Sequence, residues 1–195
     1  MRVLNLTLFS LIFFCCVKPA LAEDWRALLT QALQDLKQGS LDKAEDEFRD
    51  AEKLIEGAKI TGGKDELKTN GIALVDCLVG VAKVKDRKGD FTGSEEMYGM
   101  ALETLKKFVE NGWKNQQYAD YLPGIIDLYE RHGKTDDAEN AIKRMIEVRT
   151  TVAPIDDSKT ISAYELYSKF LRAHSRSEEA TSYETKITQM KYNQQ

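Results

Sequence analysis

The chain has 195 residues, of which 42% are hydrophobic and 31% are charged, and it contains three prolines. This composition is typical of a soluble globular protein with one sizeable core, and the low proline count disfavours a loop-rich β-sandwich. The formal net charge is −4, so the basic excess expected of a nucleic-acid-binding protein is missing.

The first 22 residues differ in kind from the rest. Arg2 precedes a 15-residue apolar run, residues 3–17, and the segment ends in Ala20-Leu21-Ala22. A basic start, an apolar stretch of this length and small residues before the cut are typical of a secretory signal peptide. We therefore expect cleavage after Ala22, with export to a bacterial periplasm or secretion. Retention as a membrane anchor is the alternative, although a span needs about 20 apolar residues.

Removal of residues 1–22 would take away Arg2 and Lys18 and leave 26 basic and 32 acidic side chains, a net charge of −6. Cys77 would be the only cysteine, so no internal disulfide is expected. The single N-glycosylation motif, residues 5–7, would also be lost. These absences fit a bacterial periplasm better than a eukaryotic secretory route, and no membrane span is expected after cleavage.

From residue 24 onwards the periodic signals are helical. The first apolar stripe has the spacing of one helix face and stops at Gly39; it consists of Trp25, Leu28, Leu29, Ala32, Leu33 and Leu36. A second stripe runs from Leu41 through Phe48 to Ile55. Two helices joined by so few residues pack antiparallel, so the sequence predicts a helical hairpin over 24–57.

The same pattern recurs three times, and predicts further hairpins over about 66–110, 117–150 and 158–192. The turn residues Gly39, Gly89, Gly133 and Ser175 are 50, 44 and 42 residues apart, and a small residue follows five positions later at Ala44, Ser94, Ala138 and Ala180. Glycine ends a helix because it adopts the left-handed conformation at little cost. The small residue would let the second helix pack closely against the first. Pro123 predicts a kink or a delayed start in the helix over 117–131.

No segment shows sustained alternation of apolar and polar residues, so no sheet is expected. One hairpin cannot bury both of its apolar faces, and copies therefore stack. The sequence predicts an all-α fold, an α-solenoid of four antiparallel helical hairpins in one domain over residues 23–195.

The chain resembles the tetratricopeptide repeat (TPR) family. In KQGSLDKAEDEFRDAEKL, residues 37–54, Ala44, Phe48 and Ala51 match the A-x3-F-x2-A pattern of the family. The spacing of 42–50 residues exceeds the usual 34 and is similar to the longer repeats of kinesin light chains, and the closing proline of the family pattern is absent. The resemblance implies a binding or scaffolding role on a concave face, a protein or peptide partner, and no cofactor.

The first helix of each hairpin would line that concave face. The candidate partner-binding residues are Lys83 and Arg87 in the second hairpin, Asp127 and Arg131 in the third, Lys169 and Arg172 in the fourth, and Leu29 and Leu33 in the first. The basic members would form a track for an acidic partner segment. Asparagines of the carboxylate-clamp type are absent, because Lys83, Asp127 and Lys169 stand at those places.

Signals for catalysis are weak. His132 and His174 each precede a turn residue, which suits a helix C-terminus, and Cys77 lies in an apolar helical run typical of a core. The pairs Asp136-Asp137 and Asp156-Asp157 lack the spacing of a calcium loop. We therefore predict no catalytic, cofactor or metal site. Two alternatives stay open: a hydrolase-type enzyme with a carboxylate site in the groove, and a structural spacer that self-assembles. The oligomeric state is undetermined by the sequence.

Overall fold

The computed structural model describes residues 24–58, 63–108, 115–152 and 158–193, and every regular element in these ranges is an α-helix. The predicted cleavage site lies outside them. The eight helices of the described ranges, in chain order, are α1 Trp25–Gln38, α2 Leu41–Gly57, α3 Gly63–Arg87, α4 Phe91–Phe108, α5 Gln116–Arg131, α6 Thr135–Val152, α7 Ser158–Ala173 and α8 Ser177–Asn193. Among the residues described, no helix combines the length and hydrophobicity that crossing a bilayer requires.

Four antiparallel hairpins follow one another, α1–α2, α3–α4, α5–α6 and α7–α8, and each turns at the predicted residue. Gly39, Gly89 and Gly133 have φ angles of 84°, 82° and 68°. Ser175 adopts the same left-handed conformation at 62°, although it carries a Cβ. The predicted turn register is confirmed, because a left-handed residue ends the first helix of every hairpin.

The small residues after the turns lie where the two helices of a hairpin meet. Ala44, Ser94, Ala138 and Ala180 are all fully buried, at 0% exposure. Phe48, one turn beyond Ala44, is also fully buried and packs against Val81 and Val84 of the next hairpin. The hydrophobic core thus forms within each hairpin and also between consecutive hairpins.

Two glycines in α3 mark close approaches between helices. A Cβ at Gly80 would lie 2.4 Å from ring atoms of Phe48, and one at Gly71 would lie 2.1 Å from the ring of Phe108. Only a residue without a side chain lets these rings rest on the helix backbone.

Helix α5 begins earlier than its proline suggested. The side chain of Asn115 accepts a hydrogen bond of 2.8 Å from the backbone N–H of Gln117, and this N-cap fixes the start at Gln116. The helix then runs through Pro123 to Arg131, so the delayed start is wrong. Pro123 is exposed at the helix surface, where its missing N–H leaves only the Ala119 carbonyl without its helical donor.

Candidate functional site

A groove runs between α3 and α5. The larger of its two cavities, which we call the deep part, has a volume of about 420 Å³, is bordered by Leu33 of α1 and is lined by α3 and α5. The second part shares Lys83 and Gly124 with the first and lies over Tyr98 of α4. Gly124 permits this floor, because a Cβ there would come within 2.6 Å of the Tyr98 hydroxyl. We call these two connected cavities the groove; its charged members are Asp76, Lys83, Asp86, Arg87, Asp120, Asp127 and Arg131.

Two groove arginines occupy equivalent positions and make equivalent contacts. Arg87 and Arg131 each stand two residues before a turn glycine. Arg87 reaches back to the first hairpin and donates a hydrogen bond to the backbone carbonyl of Leu36. Arg131 reaches back to the second hairpin and binds Asp86, the residue equivalent to Leu36. Both arginines therefore join consecutive hairpins.

The Arg131 contact is the stronger of the two. Its guanidinium binds the Asp86 carboxylate with two hydrogen bonds of 2.9 and 2.7 Å, and a third of 3.1 Å goes to Asp127. The hydrogen bonds from Arg131 lower the pKa of Asp86, whose side chain is only 12% exposed. A two-pronged pair of this kind also fixes geometry. Arg131 and Asp127 both line the groove, and the charge of Arg131 is engaged mainly by Asp86 and in part by Asp127.

Lys83 differs from the arginines. It lies between Asp76 and Asp86 along α3, is exposed, and borders both parts of the groove. No carboxylate of the described residues lies within 4.0 Å of its ammonium group. Its charge therefore remains available to a ligand.

Asp76 and Tyr121 form the polar end of the groove beside Leu33. The Tyr121 hydroxyl donates a hydrogen bond of 2.6 Å to Oδ1 of Asp76, which links α3 to α5. Burial raises the pKa of Asp76, while the Tyr121 hydrogen bond and the charge of Lys83 act in the opposite direction. The carboxylate keeps further acceptor positions for a donor that enters the groove.

The apolar candidates divide between core and groove. Leu29 is half-buried and packs against the clusters formed by the first two hairpins. Leu33 is 50% exposed and borders the groove. Leu33 is thus the apolar contact that the first hairpin offers to a ligand.

The candidates of the fourth hairpin lie elsewhere. Arg172 binds Glu184 of its own hairpin with hydrogen bonds of 2.7 and 2.6 Å. Lys169 is exposed and lies outside the groove as defined above. The structure therefore brings Lys83, Arg87, Asp127, Arg131 and Leu33 together, and leaves Lys169 and Arg172 apart from them.

A second polar cluster links α5 to the following helices. Asp120 accepts hydrogen bonds of 3.0 and 3.1 Å from Lys159 of α7, and it also binds the buried Arg149 of α6. Burial acts to raise the pKa of Asp120, but the bonds from Arg149 and Lys159 outweigh it and the net direction is downward. Both carboxylates of the deep groove, Asp76 and Asp120, are thus held by partners from another helix.

An ion pair between the turn of one hairpin and the second helix of the preceding hairpin recurs at all three junctions between hairpins. Each pair joins a cation beside a turn residue to the glutamate that follows the buried small residue of the preceding hairpin. The pairs are Lys88–Glu45 at 2.8 Å, Lys134–Glu95 at 2.8 Å and Arg176–Glu139 at 2.7 Å. We call this row the junction ladder. Sequence reasoning missed it, although its signal, a cation flanking the turn and a glutamate six residues beyond it, is present in the sequence.

The remaining candidates for chemistry have structural surroundings. His132 packs on the ring of Phe91 at 4.2 Å between centroids, and His174 packs on Phe170 at 4.4 Å. Cys77 is buried in the core, and burial raises its pKa to about 12. In the ranges that the structure covers, no three His, Cys, Asp or Glu side chains are placed to hold a metal ion. The pair Asp156-Asp157 lies outside those ranges.

Comparison with known proteins identifies the fold but no close relative: no protein-family model matches the chain, and no curated protein matches it significantly. A kinesin light chain-like protein from Podosopora anserina with nearly identical TPR-like repeats superimposes with a TM-score of 0.64 at 8% identity, over 86% of this chain and 75% of that one. BtubC (BKLC) from P. vanneervenii superimposes with a TM-score of 0.52 at 14% identity, over 87% and 80%. At such identities the likeness concerns the fold alone.

Proposed function

We propose, starting from the TPR-like repeat fold that these comparisons confirm, that the protein is a non-catalytic scaffold that binds a partner polypeptide in the groove. The observation that supports this most directly is Lys83, an exposed cation in a groove whose other charges are largely engaged within the chain. A carboxylate of the partner that enters the groove would form an ion pair with Lys83. The groove thus favours an acidic side chain in the partner segment.

Lys83 replaces the longer basic track as the anchor of this proposal. Arg87 and Arg131 hold consecutive hairpins together, and Arg172 is bound by Glu184. Reversing the charge of Arg87 would therefore disturb the hairpin junction as well as any ligand. Arg87 still adds positive charge next to Lys83, one helical turn away on the same face.

The test is affinity capture with charge-reversed variants. Lys83→Glu should lose the partner polypeptide that the wild-type chain captures from the cells that make it. Lys68→Glu is the matched control, because Lys68 is an exposed residue of the same helix, about 22 Å further along its axis at 1.5 Å per residue. Far-UV circular dichroism and melting temperature should be unchanged in both variants.

Capture that weakens at high salt would agree with a charged contact at the groove surface. A partner retained by Lys83→Glu as well as by the wild type would contradict the proposal. So would a partner that both Lys83→Glu and Lys68→Glu lose to the same extent, because that result would indicate a general effect of net charge.

We further propose that the scaffold works after export, in a bacterial periplasm or outside the cell. The support is the pattern of residues 1–22 alone: a basic residue, an apolar run of 15 residues and the Ala20-Leu21-Ala22 ending. Detection of the protein in the periplasmic or extracellular fraction would agree with this, and a cytoplasmic chain that begins at Met1 would contradict it.

A further inference from the structure

The groove carries opposite charges at its two ends, and this polarity bears on which sequence it can bind. Asp76 and Lys83 both line the deep part, on the same side of α3. They are seven residues apart, which is two helical turns or about 10 Å along the axis. The Asp76 end is negative. The Lys83 end is positive on balance, because Arg87 lies one turn further and Arg131 binds the two carboxylates there, Asp86 and Asp127.

Between these ends the wall is apolar or without side chain. Val79 and Gly80 of α3 lie between Asp76 and Lys83, Leu33 borders the same part from α1, and Pro123 and Gly124 of α5 complete the lining. Half of the Leu33 side chain is exposed, so it can cover an apolar ligand side chain. Along the groove, a ligand would thus meet the hydrogen-bond acceptor Asp76 first, then an apolar surface, and then the cation Lys83.

We propose that the groove binds a segment in the extended polyproline II conformation, with an acidic side chain at one position, a hydrogen-bond donor, Lys, Arg, Asn or Gln, three residues away, and an apolar side chain between them. This rests on the proposed function and adds the sequence pattern and the spacing of the ligand. A polyproline II chain has three residues per turn and advances about 3.1 Å per residue, so side chains three residues apart share one side and lie about 9 Å apart, close to the distance of about 10 Å between the two ends.

The charges decide which side chain of the ligand meets which end of the groove. In one orientation the ligand carboxylate meets Lys83 and its donor meets the free acceptor positions of Asp76, next to the oxygen that Tyr121 occupies. In the reverse orientation the ligand carboxylate meets Asp76, and its donor meets the Lys83 ammonium group, which cannot accept a hydrogen bond. Like charges placed together at an interface disfavour that arrangement, so the two orientations are not interchangeable.

A phage-displayed library of random 12-residue peptides, selected on the full chain, supplies the probe. The enriched peptides should share the acidic, apolar and donor positions at a fixed spacing. One enriched peptide and a second peptide with the same residues, but with the donor moved next to the acidic residue, are then synthesised. By fluorescence polarisation the respaced peptide should bind at least about tenfold more weakly, the factor that about 1.4 kcal/mol gives.

The decisive variant is Asp76→Lys, which makes both ends of the groove positive. It should reverse the preference at the donor position, so that a peptide with Glu in place of the donor becomes the tighter ligand. Asp76→Asn keeps an oxygen for the Tyr121 hydroxyl and removes the charge, and it should reduce the discrimination between a Lys and an Asn donor without loss of fold. Circular dichroism and melting temperature check the fold of each variant.

The outcomes separate this inference from the proposed function. Peptides that need Lys83, but bind equally with either spacing and keep their preferred donor on Asp76→Lys, would overturn the inference and leave the groove proposal standing. A selection that yields no peptide dependent on Lys83 would overturn both.

Discussion

Gly80→Ala tests a close contact between the first and second hairpins. The new Cβ would lie 2.4 Å from Cε1 and Cζ of Phe48, whose ring is fully buried. Carbon atoms in contact sit about 3.5 Å apart, so the ring would have to move by about 1 Å. Val81 and Val84 pack against the same ring and leave it little room. Overpacking of this kind costs about 1–3 kcal/mol, and the better helix propensity of alanine returns about 1 kcal/mol.

Gly99→Ala is the matched control. Gly99 lies in the interior of α4 and is exposed, and a Cβ added there would meet no atom within 4 Å. It should therefore gain the full propensity of about 1 kcal/mol. Guanidinium titrations followed by far-UV circular dichroism should give Gly80→Ala a lower denaturation midpoint than Gly99→Ala. The difference should correspond to about 1–3 kcal/mol in free energy of unfolding. Equal midpoints would refute the claim that Phe48 needs a glycine beneath it.

Three further predictions concern packing, pH and processing. Ala44→Leu should overpack the first hairpin and cost about 1–3 kcal/mol, whereas Ala58→Leu at the end of α2 should cost much less; denaturant midpoints compare them. The hydrogen bonds from Arg176, Lys143 and Tyr167 lower the pKa of Glu139 from 4.5 to about 2, so the stabilisation from these contacts is present above pH 4.5 and is lost towards pH 2. Glu139→Gln should therefore melt below the wild type at pH 7, and the gap should close near pH 2. Intact mass should find a chain that begins at Glu23; an uncut chain in the membrane fraction would contradict this.

The sequence predicted the fold because its signals are local. Gly39 and Ala44 lie within one turn and the start of one helix, and each has a physical role that its residue type nearly dictates. A left-handed turn needs a residue that tolerates it, and a close helix crossing needs a small side chain. Ser175 adopts the same left-handed conformation in the fourth hairpin. The position of the turn in the repeat is therefore more important than the presence of glycine.

The candidate site was only partly predictable, because its contacts join residues far apart in the chain. Arg131 could be placed on the groove face from its position in the helix. Its partner Asp86, 45 residues earlier, could not be inferred, because the pairing depends on how far one hairpin rotates on the next. For the same reason the sequence could not separate Lys83, which keeps its charge free, from Arg87, which binds the backbone of the first hairpin.

The junction ladder has a consequence for how such a protein can change in length over evolutionary time. The second hairpin carries both a cation, Lys88, and a glutamate, Glu95, and the third carries Lys134 and Glu139. A gene duplication that copies either of these hairpins would supply both halves of the new joint at once. Length could then grow in steps of one hairpin without new interface chemistry, while the groove residues of each copy diverge.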